Sequence, residues 1–214
     1  SSAEDQLTSE TTQGVYGFAW NSDGTKFFVS GGGGDIFEYT TSTAYSVGDA
    51  DVTYAGASEA FDTTTDTGSG SRGIVFFDSG NKFLIGSVTN DAIYEYGMTS
   101  PYDISTATLN QSKDISADIN NPWNLSFNSD GTVLYVLNGG NLIYTCDLIT
   151  AYDISTLSVT TSSSTGQFGS ISQPAMFFKP DGSNLYLDTT TETVEEWDIA
   201  TNKQTLDMST GSVF

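Results

Sequence analysis

The chain has 214 residues, enough to bury a proper core in one domain, and carries 27 acidic against 6 basic side chains, a formal net charge of −21. Such a surface repels phosphate backbones and anionic lipids, so nucleic-acid partners and membrane insertion are not expected; no apolar run reaches the length of a membrane span. Histidine is absent, which removes imidazole bases, Ser-His-Asp and Cys-His nucleophile systems, and His-ligated zinc or copper.

Taken from the N-terminus, residues 1–14 read as an arm. Its first part (Ser1, Ser2, Ala3, Glu4, Asp5, Gln6, Leu7 and Thr8) stands where an outer strand would precede the first repeat, and is the candidate assembly segment. A first strand follows at Val15–Trp20, then the turn NSDGT at Asn21–Thr25, a second strand at Lys26–Ser30 and a third at Asp35–Tyr39. The glycine run Gly31–Gly34 lacks the Lys and Ser/Thr of a phosphate loop and joins two strands, so it reads as a hairpin loop. Beyond it lie Ala44-Tyr45-Ser46-Val47 and a Thr-, Gly- and Asp-rich insertion, Glu59–Ser71, expected as a loop. Asp49 and Asp51, with Asp62 and Asp66 near them in the sequence, are candidate oxygen ligands for calcium, the one cofactor considered, although they lack the spacing of a known calcium loop. Arg72, the sole arginine, is expected to be structural or salt-bridged.

The phrase then repeats. Strands at Gly73–Phe77, Lys82–Gly86 and Ala92–Tyr96 surround the turn Asp78–Asn81. Trp123–Phe127, Val133–Leu137 and Leu142–Cys146 surround Asn128–Thr132, and Ala175–Phe178, Asn184–Asp188 and Thr193–Trp197 surround Lys179–Ser183. The turn glycines Gly24, Gly80, Gly131 and Gly182 recur at steps of 56, 51 and 51 residues; Tyr39, Tyr96, Cys146 and Trp197 recur at 57, 50 and 51. Two markers in step indicate an all-β, four-bladed β-propeller of four-stranded antiparallel blades, at roughly 15–58, 72–117, 122–165 and 174–209. Thr-rich outer strands are expected near Ala107–Ile115, Leu157–Ser162 and Lys203–Met208. The lone Cys146 replaces an aromatic and reads as a buried thiol.

After the third strands come Pro101-Tyr102-Asp103-Ile104-Ser105 and Ala151-Tyr152-Asp153-Ile154-Ser155. Tyr45, Tyr102 and Tyr152, with Asp103 and Asp153, are the candidate ligand-binding residues: stacked on sugar rings they would form a lectin-like surface, and tucked under the loop they would be structural. Candidate catalytic residues are none; Asp188, Glu192, Glu195 and Glu196 are the carboxylates that could pair as in a glycosidase, and they read as solvated alternation within one blade.

The segments Asn128–Val136, Ile143–Leu148 and Ala151–Thr156, with Ile93–Tyr96 and Pro101–Thr106, resemble a propeller repeat of secreted and cell-surface proteins of marine bacteria and of their phages, over about Val15 to Asp207. The resemblance implies an extracellular or virion-surface location. From it, and from the absence of catalytic groups, the expectation is a non-enzymatic structural or interaction protein that builds or decorates an assembly through propeller edges, with protein partners or self-assembly. A glycan-binding attachment module and a polysaccharide-cleaving enzyme are the alternatives.

Overall fold

The computed structural model describes residues 14–47, 51–56, 60–140, 142–164, 175–179, 183–188, 194–198 and 211–213. They form four antiparallel sheets, each wound in chain order. Blade one contains β1 (Val15–Trp20), β2 (Lys26–Gly31), β3 (Asp35–Thr41) and β4 (Val52–Tyr54), and β5 (Phe61–Asp62) adds to β3 beyond the end of β4. Blade two is β6 (Ser71–Phe77), β7 (Lys82–Ser87), β8 (Ala92–Gly97) and β9 (Thr108–Asp114). Blade three is β10 (Pro122–Phe127), β11 (Val133–Asn138), β12 (Leu142–Leu148) and β13 (Leu157–Ser164). Blade four is β14 (Met176–Phe178), β15 (Asn184–Asp188), β16 (Val194–Asp198) and β17 (Gly211–Val213). This is the expected four-bladed propeller. The insertion of blade one differs from the expected loop, since it holds β5 and a short helix at Thr64–Thr67. Lys203–Met208 lies outside the described residues, and the outer strand seen in blade four is Gly211–Val213.

Middle strands are buried on both faces, because each blade is covered by its neighbours. Phe28 and Ile36 of blade one share a core with Ile74, Phe83, Ile85 and Tyr94 of blade two. Leu84 and Ile93 pack with Leu125, Leu134 and Val136 of blade three, and Leu137 and Ile143 pack with Met176, Leu185 and Leu187 of blade four. This burial is the main stabilising term of a repeat that cannot cover its own faces. Innermost strands approach closely: a Cβ on Gly73 would come 2.8 Å from the Asn124 Cα, so the backbones meet where side chains are absent. Cys146 is fully buried in the core between blades two and three, and burial pushes its thiol up to about 12. No helix among the described residues is long and apolar enough to cross a membrane.

Candidate functional site

The blades have two distinct ends. At the turn end lie Gly24, Gly80 and Gly131, all at positive φ, as the sharp β-turns demand. Above them sit the three recurrent tyrosines. Tyr45, Tyr102 and Tyr152 adopt φ of 59°, 56° and 63°, and each backbone N–H donates to the carbonyl of its turn glycine at 2.8 Å. Each ring lies where a glycine Cβ would be and packs on an aromatic of its own first strand: Tyr45 on Trp20 (5.4 Å), Tyr102 on Phe76 (5.2 Å), Tyr152 on Phe127 (5.0 Å). Tyr102 and Tyr152 also stack on Phe28 and Phe77 of the preceding blade, at 6.4 Å and 5.6 Å.

Below these clasps, Lys26 pairs with Glu38 at 2.6 Å and Lys82 with Glu95 at 2.9 Å. Glu95 is only 2% exposed and also accepts from Asn110 (3.2 Å) and Gln111 (2.8 Å). A cavity of about 640 Å³ between blades two and three brings Tyr152 and Asp153 together with Lys82, Glu95 and Gln111. The Ser155 side chain and its N–H, from which Asp153 accepts at 3.0 Å, hold the Asp153 carboxyl below the usual range, and Asp103 accepts from the Ser105 hydroxyl at 2.6 Å. The structure therefore gathers Tyr152 and Asp153 but places Tyr45, and Tyr102 with Asp103, over other turns.

The head end, where β1, β6 and β10 begin, is built differently. All three strands open on a β-bulge: the register slips between Val15 and Gly17, between Ser71 and Ile74, and between Pro122 and Asn124. Tyr16, Arg72 and Trp123 occupy these slips. A bulge re-aims its side chain, and here three successive blades aim theirs at one place. The Arg72 guanidinium carbon lies 4.0 Å from the Tyr16 ring centroid and 5.1 Å from that of Trp123, whose rings meet edge to face at 5.7 Å. Nη1 of Arg72 donates to the Ser71 carbonyl at 2.8 Å, and its buried Nε makes no hydrogen bond to the described residues. Of the two roles expected for Arg72, structural or salt-bridged, its contacts with the described residues are of the first kind: they are ring packing and a backbone hydrogen bond, and no carboxylate among those residues pairs with it. Burial holds its pKa below the usual guanidinium value.

Beside Arg72, Ser71 joins a buried knot of hydroxyls: its Oγ bonds those of Thr63 and Thr67, and the Thr63 hydroxyl donates to the Gly34 carbonyl. Thr63 follows Asp62, which faces Asp35 directly across the β3–β5 ladder. The two carboxyls are driven apart. Asp35 is raised above the ordinary carboxylate value, first by burial and then by the charge of Asp62. Asp62 is lowered by hydrogen bonds from Thr64, whose N–H reaches its Oδ1 at 2.7 Å. Asp35, Tyr16 and Trp123 belong to no motif singled out in the sequence and Arg72 stands out there only as the sole arginine, although one signal joins the trio: Tyr16, Arg72 and Trp123 each lie eight residues before a turn glycine (24 − 16, 80 − 72, 131 − 123).

Of the candidate metal ligands, Asp51 accepts from the hydroxyls of Ser42 (2.7 Å), Thr43 (3.1 Å) and Ser46 (2.6 Å), while Asp49 lies outside the described residues. No group of three acidic or cysteine side chains placed to hold a metal ion occurs among the described residues. Ser1–Thr8 and the side chains of Asp188, Glu192, Glu195 and Glu196 also lie outside them.

No protein-family model matches the sequence, and no curated protein does. Solved structures match the fold. A Bacteroides uniformis protein carrying the name 6-phosphogluconolactonase superposes with a TM-score of 0.57 at 17% identity, over 91% of this chain and 56% of its own. The periplasmic gluconolactonase of Pseudomonas aeruginosa gives 0.51 at 15% identity, over 94% and 53%. A Lactobacillus plantarum protein gives 0.55 at 14%, over 92% and 55%. The chain thus spans a little over half the length of each. Likeness at this identity shows the fold alone. It nevertheless corrects the expectation of a non-enzymatic scaffold building or decorating an assembly, and with it the attachment and polysaccharide-cleaving alternatives. Proteins that carry lactonase names share this blade architecture, so the architecture does not speak for a scaffold. The physical reason is that missing histidine removes imidazole chemistry but leaves carboxylate chemistry, which was expected only in blade four, whereas the facing aspartates lie across the β3–β5 ladder of blade one.

Proposed function

We propose that the chain carries a hydrolytic site of the lactone-opening class at the head end of its blades. The observation that carries this reading is the Asp35–Asp62 pair, two carboxyls in direct cross-strand register whose environments push their pKa values in opposite directions. Such separation lets one carboxyl exchange its proton while its neighbour stays ionised. The likeness to propellers that bear lactonase names supports the reaction class, and fold alone would not have sufficed.

In this reading water attacks the carbonyl carbon of a ring ester while the Asp35 carboxylate takes the proton of that water. The ring C–O bond then breaks, its electron pair leaves on the alkoxide, and the protonated Asp35 returns the proton to that oxygen. The product is the open hydroxy acid, so one lactone and one water are consumed. Asp62 stays ionised throughout, and burial together with that neighbouring charge keeps the pKa of Asp35 raised, closer to the working pH than an ordinary aspartate.

The test is proton release from glucono-δ-lactone in a pH-stat, with buffer alone as the reference. We expect hydrolysis above the uncatalysed rate, falling roughly 10²-fold or more in Asp35→Asn, the range general acid–base groups supply. A rate equal to buffer alone, or an Asp35→Asn variant as active as the parent, overturns the reading.

A further inference from the structure

We propose that Thr63 is the positioning residue of the acid pair: a buried side chain, bonded to both blade one and blade two, that keeps Asp62 opposite Asp35. This deepens the lactone-opening reading by naming what sets the geometry of that site, and it rests on that reading for its place in a reaction.

The first observation is how short the ladder beneath the pair is. β5 has two residues, and its register with β3 is Asp35↔Asp62 and Ile36↔Phe61. Pairing over so few residues is marginal by itself. Thr63 extends it, because its N–H donates to the Gly34 carbonyl at 3.0 Å and its hydroxyl donates to the same oxygen at 2.6 Å. Gly34 precedes Asp35 and Thr63 follows Asp62, so this clamp closes directly beside the two carboxyls. The approach is tight: a Cβ on Gly34, at φ +98°, would come 2.6 Å from the Thr64 Cγ2.

The second observation is where the other side of Thr63 leads. Thr63, Thr67 and Ser71 are fully buried, and their hydroxyls meet in one knot. A carbonyl cannot donate, so the single Thr63 hydroxyl proton goes to Gly34 and its lone pairs face Thr67 and Ser71. Ser71 lies on β6 of blade two, opposite Ser87, whose hydroxyl donates to the Thr67 carbonyl at 2.7 Å. The Tyr96 hydroxyl donates to the Asp66 carboxylate at 3.0 Å, and the Asn90 amide donates to the Asp66 carbonyl at 3.0 Å. The stretch that follows Asp62 is therefore anchored to blade two, whereas Asp35 belongs to a central strand of blade one. Thr63 is the joint between them.

The third is the choice of hydroxyls. A buried hydroxyl is costly when unpaired, so three in one place favour a single arrangement over its neighbours. If β5 slipped by one residue against β3, its side chains would exchange faces and Thr63 would leave Thr67 and Ser71. The knot thus selects the register that sets Asp62 opposite Asp35.

The test is the titration of Asp35, followed by NMR through its side-chain carboxyl carbon. The charge that raises Asp35 is that of Asp62; nearby, Asp66 is bonded to Tyr96, and Arg72 is bonded to the Ser71 carbonyl. In Thr63→Val, Asp62 is released, and the Asp35 midpoint should fall by at least part of the drop that Asp62→Asn produces. Thr63→Ser, which keeps the hydroxyl, should titrate like the parent. Lactone hydrolysis should fall ~10-fold or more in Thr63→Val, as it does when a reacting group is displaced. Its acid limb should move to lower pH, and Thr63→Ser should restore both. A purely structural role would lower the urea midpoint of Thr63→Val and leave the Asp35 titration unmoved. A parent-like titration in folded Thr63→Val, or a Thr63→Ser protein that fails to restore it, overturns the proposal. If Thr63→Val does not fold, Ser71→Ala is read instead, since it keeps the Gly34 bond and removes the partner on blade two. There the Asp35 midpoint should fall part of the way, and an unmoved one overturns the proposal. The titration needs no turnover. A shifted midpoint in a chain without lactone hydrolysis leaves the Thr63 clamp standing and removes the hydrolytic reading; an unmoved midpoint in a chain that hydrolyses lactone does the reverse.

Discussion

The two ends of these blades come from the same repeats and have opposite chemistry. At the turn end the repeat is kept: Tyr45, Tyr102 and Tyr152 cover three turn glycines in the same way, and Lys26 and Lys82 are each neutralised by a glutamate of the neighbouring strand. At the head end the repeat is broken. One position holds Tyr16, Arg72 and Trp123 in turn, two aspartates face each other, and a buried guanidinium Nε makes no hydrogen bond to the described residues. Where a repeat is obeyed its polar groups are consumed by the fold, and where it is disobeyed they are left for something else. Substitutions at the turn end should therefore cost stability, and substitutions at the head end should cost function.

The largest stability effect is expected at the clasps. Gly80 has φ of +84°, and a Cβ there would overlap the Tyr102 ring. Gly80→Ala should lose about 3 kcal/mol or more from strain and overpacking together, measured by urea denaturation, with lactone hydrolysis per folded molecule unchanged. A loss of less than about 1 kcal/mol would mean that the clasp yields, and that the turn end is less committed to the fold than its geometry indicates.

How much of this was legible before folding follows the range of each signal. Asn21–Thr25, Asp78–Asn81 and Asn128–Thr132 announce their turns within five residues, and alternation around Trp20, Phe76 and Phe127 announces the strands. The blade count came from such local signals. The bulges did not, because a slip between β6 and β7 is a property of a strand pair and not of either strand. The Asp35–Asp62 pair was hidden for a similar reason: the two are 27 residues apart (62 − 35), and only β5 adding to β3 makes them neighbours. That strand lies in a stretch expected as a loop, since its order depends on buried hydroxyls at Thr63, Thr67 and Ser71, which hydropathy does not register. The tyrosines were visible as a motif, and their positive φ, which commits them to the turn glycines, was not.

Within the turn end, the clasps should rank by how far the preceding blade covers them. Tyr102 lies between Phe76 and Phe28, whereas Tyr45 is 57% exposed and touches Trp20. Tyr102→Ala should cost about 2 kcal/mol and Tyr45→Ala about 1. Both positions share a left-handed backbone, so that contribution cancels in the comparison. Equal losses would show that the ring's worth lies in its own turn. Removing the cation from the pair below, with Lys82→Met, should cost about 1–2 kcal/mol, less than a fully buried pair, since Lys82 is 37% exposed and Glu95 keeps Asn110 and Gln111.

The smallest effect carries the most information, because its sign should be reversed. The pKa of Asp35 is raised in the folded chain above the ordinary aspartate value of 3.8, first by burial and then by the charge of Asp62. A carboxyl raised on folding favours the protonated native form, so its contribution is fully present below pH 3.8 and is lost as pH rises through the folded value. At neutral pH the folded chain therefore carries an unfavourable charge at Asp35. Asp35→Asn should then raise stability at neutral pH by less than about 1 kcal/mol, discounted for the solvent that reaches the group, and should lose that advantage below pH 3.8. Asp62→Asn should move the acid limb of the hydrolysis profile to lower pH, since it removes the like charge that helps raise Asp35. If Asp35→Asn destabilises at neutral pH instead, the carboxylate is being used by the fold, and the head end is no different from the turn end. A gain in stability with a loss of hydrolysis would mark Asp35 as a group kept at the expense of the fold, which is what a reacting carboxylate should be.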